Sequence, residues 1–176
     1  MKNYAFESER LRLSAGTLDD TDTFHALWTD AGVRRYLWDD RVIRREVAEE
    51  VIYESVQTFA DAGYGQWLVS LKEDGAVIGF CGLKSNPCAP QDIELLYGLY
   101  PAFWGKGYAV EASREILDHA FNALGLAYLV AEMDTPNAAS ARVAEKLGMR
   151  FEKEYTRNNL PTLRYVLDAA AWRDRK

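Results

Sequence analysis

The sequence predicts a mixed α/β fold in which a largely antiparallel central sheet of about seven strands is flanked by helices. Three observations support this prediction. Apolar residues first repeat at helical spacing, then strands and tight turns alternate, and the last part reads strand, helix, strand, helix, strand, strand. No repeat or linker divides the 176 residues, so residues 1–176 are expected to form a single domain.

The N-terminal part is predicted to contain one short strand and two helices. Leu11 and Leu13 alternate with arginines, which is the period of a strand. A first helix is expected around Phe24, where apolar residues follow at helical spacing. A second helix is predicted over about residues 41–60, ending near Gly63.

The rest of the chain is predicted to consist of strands with two further helices. Glu73-Asp74-Gly75 resembles a hairpin turn, and Gly125 and Gly148 are typical helix ends. Strands are expected at 66–72, 76–83, 93–100, 128–133, 151–155 and 163–167, and helices at 105–124 and 137–147.

Composition restricts the classes of function. With 48% hydrophobic and 12% aromatic residues, the chain can bury a core without disulfides or metal. Cys81, Cys88 and two histidines are too few and too scattered for a metal site. The net charge of −6 argues against a nucleic-acid partner and favours a cationic one. Residues 1–9 lack the apolar core of a signal peptide, and no apolar run reaches the ~20 residues of a membrane span, so a cytoplasmic protein is expected.

A glycine-rich segment, Trp104-Gly105-Lys106-Gly107-Tyr108-Ala109, lies where a predicted strand leads into a predicted helix. Free amide N–H groups at a helix N-terminus bind phosphate oxygens, and glycines let the backbone approach closely. The alternative is that the two glycines only make a tight turn. The third glycine of the dinucleotide-binding pattern is missing, and no G-x-x-x-x-G-K-[ST] phosphate loop exists.

Two runs are specific when taken together, namely ELLYGLYPAFWGKGYAVEA at 94–112 and NAASARVAEKLGM at 137–149. In order and spacing they resemble the GNAT superfamily of N-acetyltransferases, and most the branch of the ribosomal-protein N-terminal (alanine/serine) acetyltransferases. The resemblance extends over about residues 8–168. It implies acetyl-coenzyme A as co-substrate, no metal, and a GNAT-like sheet with a splayed central strand pair that binds the pantetheine arm.

The resemblance also implies the residues that bind the cofactor. The family signature Q/R-x-x-G-x-G/A, whose amides bind the pyrophosphate, matches at Gly107 and Ala109, while Trp104 stands where Gln or Arg is usual. Gly98 in an apolar strand also suggests close backbone approach, with a twisted edge strand as the alternative. The amide of Leu99 is implied as a donor to the thioester carbonyl. The full set is Tyr97, Gly98, Leu99, Trp104, Gly105, Lys106, Gly107, Tyr108, Ala109, Val110 and Asn137.

Glu94 is the candidate general base. It stands on the predicted cofactor strand at a position similar to the family's frequent strand glutamate, and a carboxylate there could take the amine proton directly or through water. The alternative is a solvated residue on the outward face of the strand. Asp92 is a weaker substitute, because it lies nearer the preceding loop.

Ser140 is the candidate proton donor to the departing thiolate, with a purely structural hydroxyl as the alternative. Many relatives use a tyrosine on this helix, but that position is Ala144 here. Tyr155 is a more remote candidate. Asn137 is expected near the pantetheine amide and also suits a helix N-cap. Arg142 and Lys146 on the same helix are expected to be a solvated face, with phosphate contact as the alternative.

The predicted function is therefore acetyl transfer from acetyl-coenzyme A to a primary amine, by direct attack in a ternary complex. The alternative is a non-catalytic sensor that binds acyl-coenzyme A. A neutral lysine amine costs ~4.6 kcal/mol at pH 7 and a neutral α-amine ~1 kcal/mol, which favours an α-amine acceptor of peptide or small-molecule type. The acceptor is expected to contact the helices Asp19–Ala60 and the loop Ser85–Gln91. A homodimer is a possible assembly of the chain.

Overall fold

The computed structural model describes residues 4–86 and 89–175, in which eight strands form one sheet. The strands are β1 (Ala5–Glu7), β2 (Leu11–Ala15), β3 (Gln66–Leu71), β4 (Val77–Asn86), β5 (Ala89–Leu99), β6 (Tyr128–Asp134), β7 (Arg150–Arg157) and β8 (Leu160–Asp168). The helices are α1 (Thr21–Thr29), α2 (Ala31–Leu37), α3 (Arg45–Ala62), α4 (Tyr108–Asp118), α5 (Ala138–Leu147) and α6 (Ala169–Arg173).

The order of the strands across the sheet is β1-β2-β3-β4-β5-β6-β8-β7. Neighbouring strands run antiparallel except β5 and β6, which run parallel because the chain crosses over through α4 between them. The predicted mixed α/β fold with a largely antiparallel sheet is therefore confirmed, with eight strands in the described residues instead of about seven.

Helices pack against both faces of the sheet. Adjacent residues of a strand point to opposite faces, and on β3 Trp67 and Leu68 accordingly belong to different apolar clusters. Leu68 and Phe80 pack with side chains of α1 and α3, such as Phe24 and Ile52. Trp67 belongs to the larger cluster, which contains the apolar sides of α4 and α5.

Several elements differ from the sequence-based expectation. The first helical region is divided at Asp30, whose carboxylate accepts hydrogen bonds from the amides that begin α2. The predicted helix 105–124 begins only at Tyr108, and its end, His119–Ala123, is a wider π-helical turn. β1, α2 and α6 were not predicted. Among the described residues, no helix has the length and apolar character needed to cross a membrane.

The predicted loop Ser85–Gln91 is also different, because β4 extends to Asn86 and β5 begins at Ala89. The two strands continue the antiparallel pairing through this region, with Ser85 opposite Ile93. Cys88, expected to be a small core or loop residue, lies outside the described residues.

β5 and β6 meet at one end and diverge at the other. Glu94 of β5 is in register with Val130 of β6. Beyond that pair, Leu95–Leu99 and Ala131–Met133 form facing walls of a cleft. The parallel pair at the centre of the sheet is therefore splayed, and everything described below is arranged around the opening.

Candidate active site

The cleft between the splayed strands has a volume of about 480 Å³. β5 and β6 form two walls, α5 forms a third, and the loop before α4 closes one end. From the two strands the lining residues are Leu95, Leu96, Tyr97, Gly98, Leu99, Ala131, Glu132 and Met133. Because the lining residues follow both strands and continue into the loop before α4, the cleft suits an extended ligand.

The main chain of the splayed strands is open to the cleft. The side chain of Glu132 is 1% exposed, yet the residue as a whole is only partly buried. The exposed part is therefore its backbone. On β5 the residues from Asp92 to Leu95 are buried, whereas Leu96 to Gly98 are partly exposed. Backbone N–H and C=O groups that lack a strand partner there can pair with a ligand that lies along them.

Gly98 lines the cleft and also packs closely against the neighbouring strand β4. A Cβ atom at this residue would lie 2.5 Å from Cε1 of Phe80, so a larger residue would displace that ring. β5 lies between β4 and β6, and the alternative of a twisted edge strand is therefore wrong. The signal that singled out Gly98 thus reflects contact with the neighbouring strand on one side and access to the cleft on the other.

The glycine-rich segment forms the loop that leads into α4. Gly105 and Gly107 have φ values of +73° and +85°, in the left-handed region that favours glycine. Gly107 is the residue before the first turn of α4, and the N–H groups of that turn have no hydrogen-bond partner within the helix. The lining includes Trp104, Gly105 and the segment 107–110. The Nζ atom of Lys106 lies 5.4 Å from the ring centroid of Phe103.

Trp104 connects this loop to β5. Its indole N–H donates to the carbonyl oxygen of Leu99 at 2.7 Å, while about half of its surface remains exposed. A tryptophan at the usual Gln or Arg position therefore still supplies a polar contact, directed at the backbone of the splayed strand.

Arg10 holds the loop from the other side, and sequence reasoning missed it. Its backbone N–H and its Nε donate to the carboxylate of Glu111 at 2.8 and 2.7 Å, and its Nη1 donates to the carbonyl oxygen of Lys106 at 3.1 Å. Ser8 also donates to Glu111 at 2.7 Å. The guanidinium carbon of Arg10 lies 4.3 Å from the ring centroid of Tyr108. About a hundred residues separate Arg10 from these partners, so no local pattern indicates the contact.

The α5 wall brings together several predicted residues. The side chain of Asn137 accepts a hydrogen bond from the amide of Ser140 at 3.2 Å, which is an N-cap, and both residues line the cleft. The hydroxyl of Tyr97 donates to the carbonyl oxygen of Ser140 at 2.9 Å. Arg142 and Lys146 are exposed, as expected for a solvated helix face. They also line the cleft and place two cations on this wall.

Glu94 lies where β5 and β6 still pair, directly before the residues that line the cleft. It is 8% exposed, which excludes the alternative of a solvated outward residue. Burial raises the pKa of Glu94 to about 7, while Arg157 and Lys84 lower it and the Glu132 carboxylate raises it. A carboxyl group that titrates near neutral pH is suited to accept a proton there.

A cluster of opposite charges surrounds Glu94, and sequence reasoning missed most of it. The buried carboxylate of Glu132 accepts hydrogen bonds from Arg157 at 2.7 Å and from Arg164 at 2.9 Å. Arg164 also pairs with Asp92 at 2.8 Å and with Glu152 at 2.6 Å. One available signal was Glu132 itself, a charge inside an otherwise apolar strand.

The two weaker acid–base candidates are occupied within this cluster. Asp92 pairs with Arg164 and accepts a hydrogen bond from the hydroxyl of Tyr128 at 2.7 Å. Burial and then the hydrogen bond to Glu132 raise the pKa of Tyr155 to about 12. Both groups therefore already have polar partners within the cluster.

The described cysteine is not an available nucleophile. Cys81 is fully buried, and its Sγ lies 3.7 Å from the hydroxyl of Ser113. Burial raises the pKa of the thiol to about 12, so the reactive thiolate is scarce at neutral pH. Among the described residues, no group of three or more His, Cys, Asp or Glu side chains is arranged to hold a metal ion.

A second cavity of about 340 Å³ lies beside the cleft and shares Tyr36 with it. Burial raises the pKa of Asp134 in this cavity; the Asp39 carboxylate also raises it, and Arg157 lowers it. Part of its wall comes from the segment 35–40, within the range expected to contact the acceptor. Its lining residues are Arg35, Tyr36, Asp39, Asp40, Asp134, Pro136, Leu160 and Pro161.

Sequence similarity to known proteins extends over most of the chain. The sequence model of the family described as "Acetyltransferase (GNAT) domain" matches residues 10–150. YkkB of Bacillus subtilis (strain 168) is 32% identical over 164 residues, which cover 90% of this chain and 92% of that protein. The "Uncharacterized N-acetyltransferase p20" of Bacillus licheniformis is 28% identical over 147 residues, covering 84% and 82%.

A solved structure with the same fold contains coenzyme A. It is RimL, a ribosomal L7/L12 alpha-N-protein acetyltransferase in complex with coenzyme A. The two chains superpose with a TM-score of 0.78 at 17% identity, covering 93% of this chain and 97% of that chain. At this identity the likeness concerns the fold.

Proposed function

Because this chain belongs to the acetyltransferase (GNAT) family and is an acyltransferase, we propose that it transfers the acetyl group of acetyl-coenzyme A to a primary amine. The single observation that carries the proposal is the cleft between β5 and β6, which ends at the amides of the loop before α4. Such a cleft offers unpaired strand backbone to an extended arm and helix N–H groups to phosphates.

The residues present fit acetyl-coenzyme A, which supplies an activated acetyl thioester when bound. Phosphate oxygens would bind the amides of the glycine-rich loop, and Arg142 and Lys146 add positive charge nearby. The amide of Leu99 is proposed to stabilise charge on the thioester carbonyl. The complex of RimL with coenzyme A, a protein of the same fold, supports this assignment.

Glu94 is proposed to accept the proton of the attacking amine. In the reaction a C–N bond forms, a C–S bond breaks, the amine loses a proton and the sulfur gains one. Since Glu94 lies just behind the cleft wall, a water molecule is proposed to relay the proton. Ser140, which lines the cleft on α5, is proposed as the donor to the sulfur. The burial and raised pKa of Cys81 support direct attack over an acetyl-cysteine step.

The acceptor is proposed to be a cationic amine, of the α-amine type, that reaches the site through the second cavity. Three carboxylates in that lining and the net charge of −6 support a cation. A deprotonation cost of only ~1 kcal/mol at pH 7 supports an α-amine, because the base is then needed only for the proton that leaves during the attack.

The decisive experiment measures coenzyme A release with acetyl-coenzyme A and a panel of peptide α-amines, lysine side-chain amines and polyamines. We expect release with at least one amine, acetylated product by mass spectrometry, and a loss of about 100-fold in kcat/KM at pH 7 for Glu94→Gln, as for removal of a general base. Glu73→Gln, in the exposed turn between β3 and β4, is the matched control and should retain full activity.

The alternative function, a sensor that binds acyl-coenzyme A without catalysis, predicts a different result. It requires tight binding of acetyl-coenzyme A, no thiol release with any amine of the panel, and no effect of Glu94→Gln. That combination would refute the transferase proposal.

A further inference from the structure

Arg157 differs from the other arginine of the charge cluster in how firmly it is held. Arg164 is 11% exposed and bonds to three carboxylates, those of Asp92, Glu132 and Glu152. Arg157 lies at the end of β7, its side chain is 38% exposed, and it bonds to Glu132 at 2.7 Å. The same Nη1 atom is 3.7 Å from a carboxylate oxygen of Glu94.

The two arginines therefore differ in which carboxylates their charge compensates. The charge of Arg164 is shared among three anions, so it compensates the buried carboxylates as a group. Arg157 pairs with two carboxylates, of which Glu132 is already compensated by Arg164 and Glu94 is not. It also lowers the pKa of Asp134. An opposite charge within about 4–6 Å favours the ionised form of a carboxyl group.

We propose that Arg157 is a positioning residue of the acetyl transfer: anchored on Glu132, it keeps the Glu94 carboxylate able to accept a proton at neutral pH. This inference rests on the proposed function of Glu94 as the base. It adds a residue of β7, 63 positions from Glu94 in the sequence, on which the function of Glu94 depends.

Few charged groups face Glu94: two lie on the neighbouring strands β4 and β6, and one reaches it from β7, which β6 and β8 separate from β5. Lys84 is opposite it on β4, Glu132 contributes a carboxylate and a backbone hydrogen bond from β6, and Arg157 approaches from β7. Lys84 lowers the pKa of Glu94 less than Arg157 does, and Glu132 raises it. Removing Arg157 also leaves the charge of Glu132 less compensated, which raises the pKa of Glu94 in the same direction.

The test compares the pH dependence of kcat/KM for the wild type and Arg157→Gln, with saturating acetyl-coenzyme A. The acid limb should move to higher pH by about one unit, at the low end for loss of a nearby opposite charge. The rate at pH 7 then falls about five-fold and recovers towards the wild-type value near pH 9. Arg157→Lys should restore most of the shift, because it keeps the positive charge.

Arg150→Gln is the matched control, because Arg150 lies on the same strand and pairs with Asp168 at 3.7 Å. It should leave the pH profile unchanged. An equal loss of rate at every pH in Arg157→Gln, with an unmoved acid limb, would show a merely structural role and overturn the proposal.

A second readout is independent of catalysis. In protein labelled with ¹³C at the glutamate side-chain carboxyl, without acetyl-coenzyme A, the Glu94 signal is assigned by its absence in Glu94→Gln and titrated by NMR. A midpoint that rises in Arg157→Gln and returns in Arg157→Lys supports the proposal even if no amine is acetylated. A midpoint that is the same in wild type, Arg157→Gln and Arg157→Lys refutes it. If Arg157→Gln does not fold, Arg157→Met, which keeps the aliphatic stem and removes the charge, takes its place with the same two outcomes.

Discussion

The two ends of the cleft differ in the groups that form them: backbone groups at the loop end, and charged side chains at the Glu94 end. At the loop end, backbone amides are proposed to bind the phosphates, and the carboxylate of Glu111 accepts hydrogen bonds from Ser8 and Arg10. At the other end, side chains from β5, β6, β7 and β8 meet, and Glu94 is buried with its nearest cation 3.7 Å away. The first end favours the ionised form of its carboxyl group, and the second end resists it.

The difference is visible in the pKa values. Burial alone would raise the pKa of Glu111, but hydrogen bonds from Ser8 and Arg10 outweigh it and the pKa is lowered. Burial raises the pKa of Glu94 to about 7 against the attraction of Arg157. Glu94 can gain a proton near neutral pH because its buried surroundings stabilise the charged carboxylate poorly.

The largest expected effect follows from this contrast. Glu94 has an ordinary pKa of 4.5 and a folded pKa of about 7, so the folded state binds the extra proton. Its contribution to stability is complete below pH 4.5 and is lost as pH rises through 7. Glu94→Gln cannot ionise, and it should therefore be more stable than the wild type at pH 8 by about 3 kcal/mol. Urea unfolding at pH 5 and pH 8 measures the difference.

Glu111→Gln is the counterpart with the opposite sign. The pKa of Glu111 is lowered in the folded state. The carboxylate therefore stabilises the fold above its unfolded-state pKa, and this stabilisation is lost as pH falls through the folded-state pKa. This variant should be less stable than the wild type at pH 8, with the gap closing on acidification. Equal behaviour of the two variants would mean that the ends of the cleft do not differ electrostatically.

A smaller effect is expected for the backbone of the loop. Gly107 has a φ of +85°, where an L-residue costs roughly 1–2 kcal/mol. Gly107→Ala should therefore weaken coenzyme A binding by about ten-fold, measured by isothermal titration calorimetry. Gly75→Ala is the control, because Gly75 has a φ of +75° with open space around its Cβ position and lies in a distant turn. If both variants bind coenzyme A equally well, the loop conformation is not what the ligand requires.

The same contrast explains what could be predicted from the sequence. The loop end depends on a contiguous run, Trp104 to Ala109, in which glycine spacing and a helix start are visible one after another. The fold class and most strands followed for the same reason, since apolar period and turn residues are local signals. Glu94 was found because it belongs to a motif on the same strand.

The rest depends on contacts between residues distant in sequence. Glu132 meets Arg157 and Arg164 across three strands, at separations of 25 and 32 residues, and neither spacing has a period that a pattern could reveal. β1 was too short to show an alternation. The break between α1 and α2 depends on one capping aspartate, Asp30, in a stretch that otherwise continues at helical spacing.

The smallest effect is expected for Arg10, a long-range contact at the loop end. Arg10→Ala removes the hydrogen bond to the carbonyl oxygen of Lys106 and the ion pair with Glu111. Because Arg10 is partly exposed, such contacts contribute about 0.5–1 kcal/mol, and we expect coenzyme A affinity to fall by about three-fold. Arg12→Ala, which breaks a surface pair with Glu7 at 3.1 Å, should leave it unchanged. An affinity loss as large as that of Gly107→Ala would mean that this end, too, depends on side chains from distant segments, and the contrast with the Glu94 end would fail.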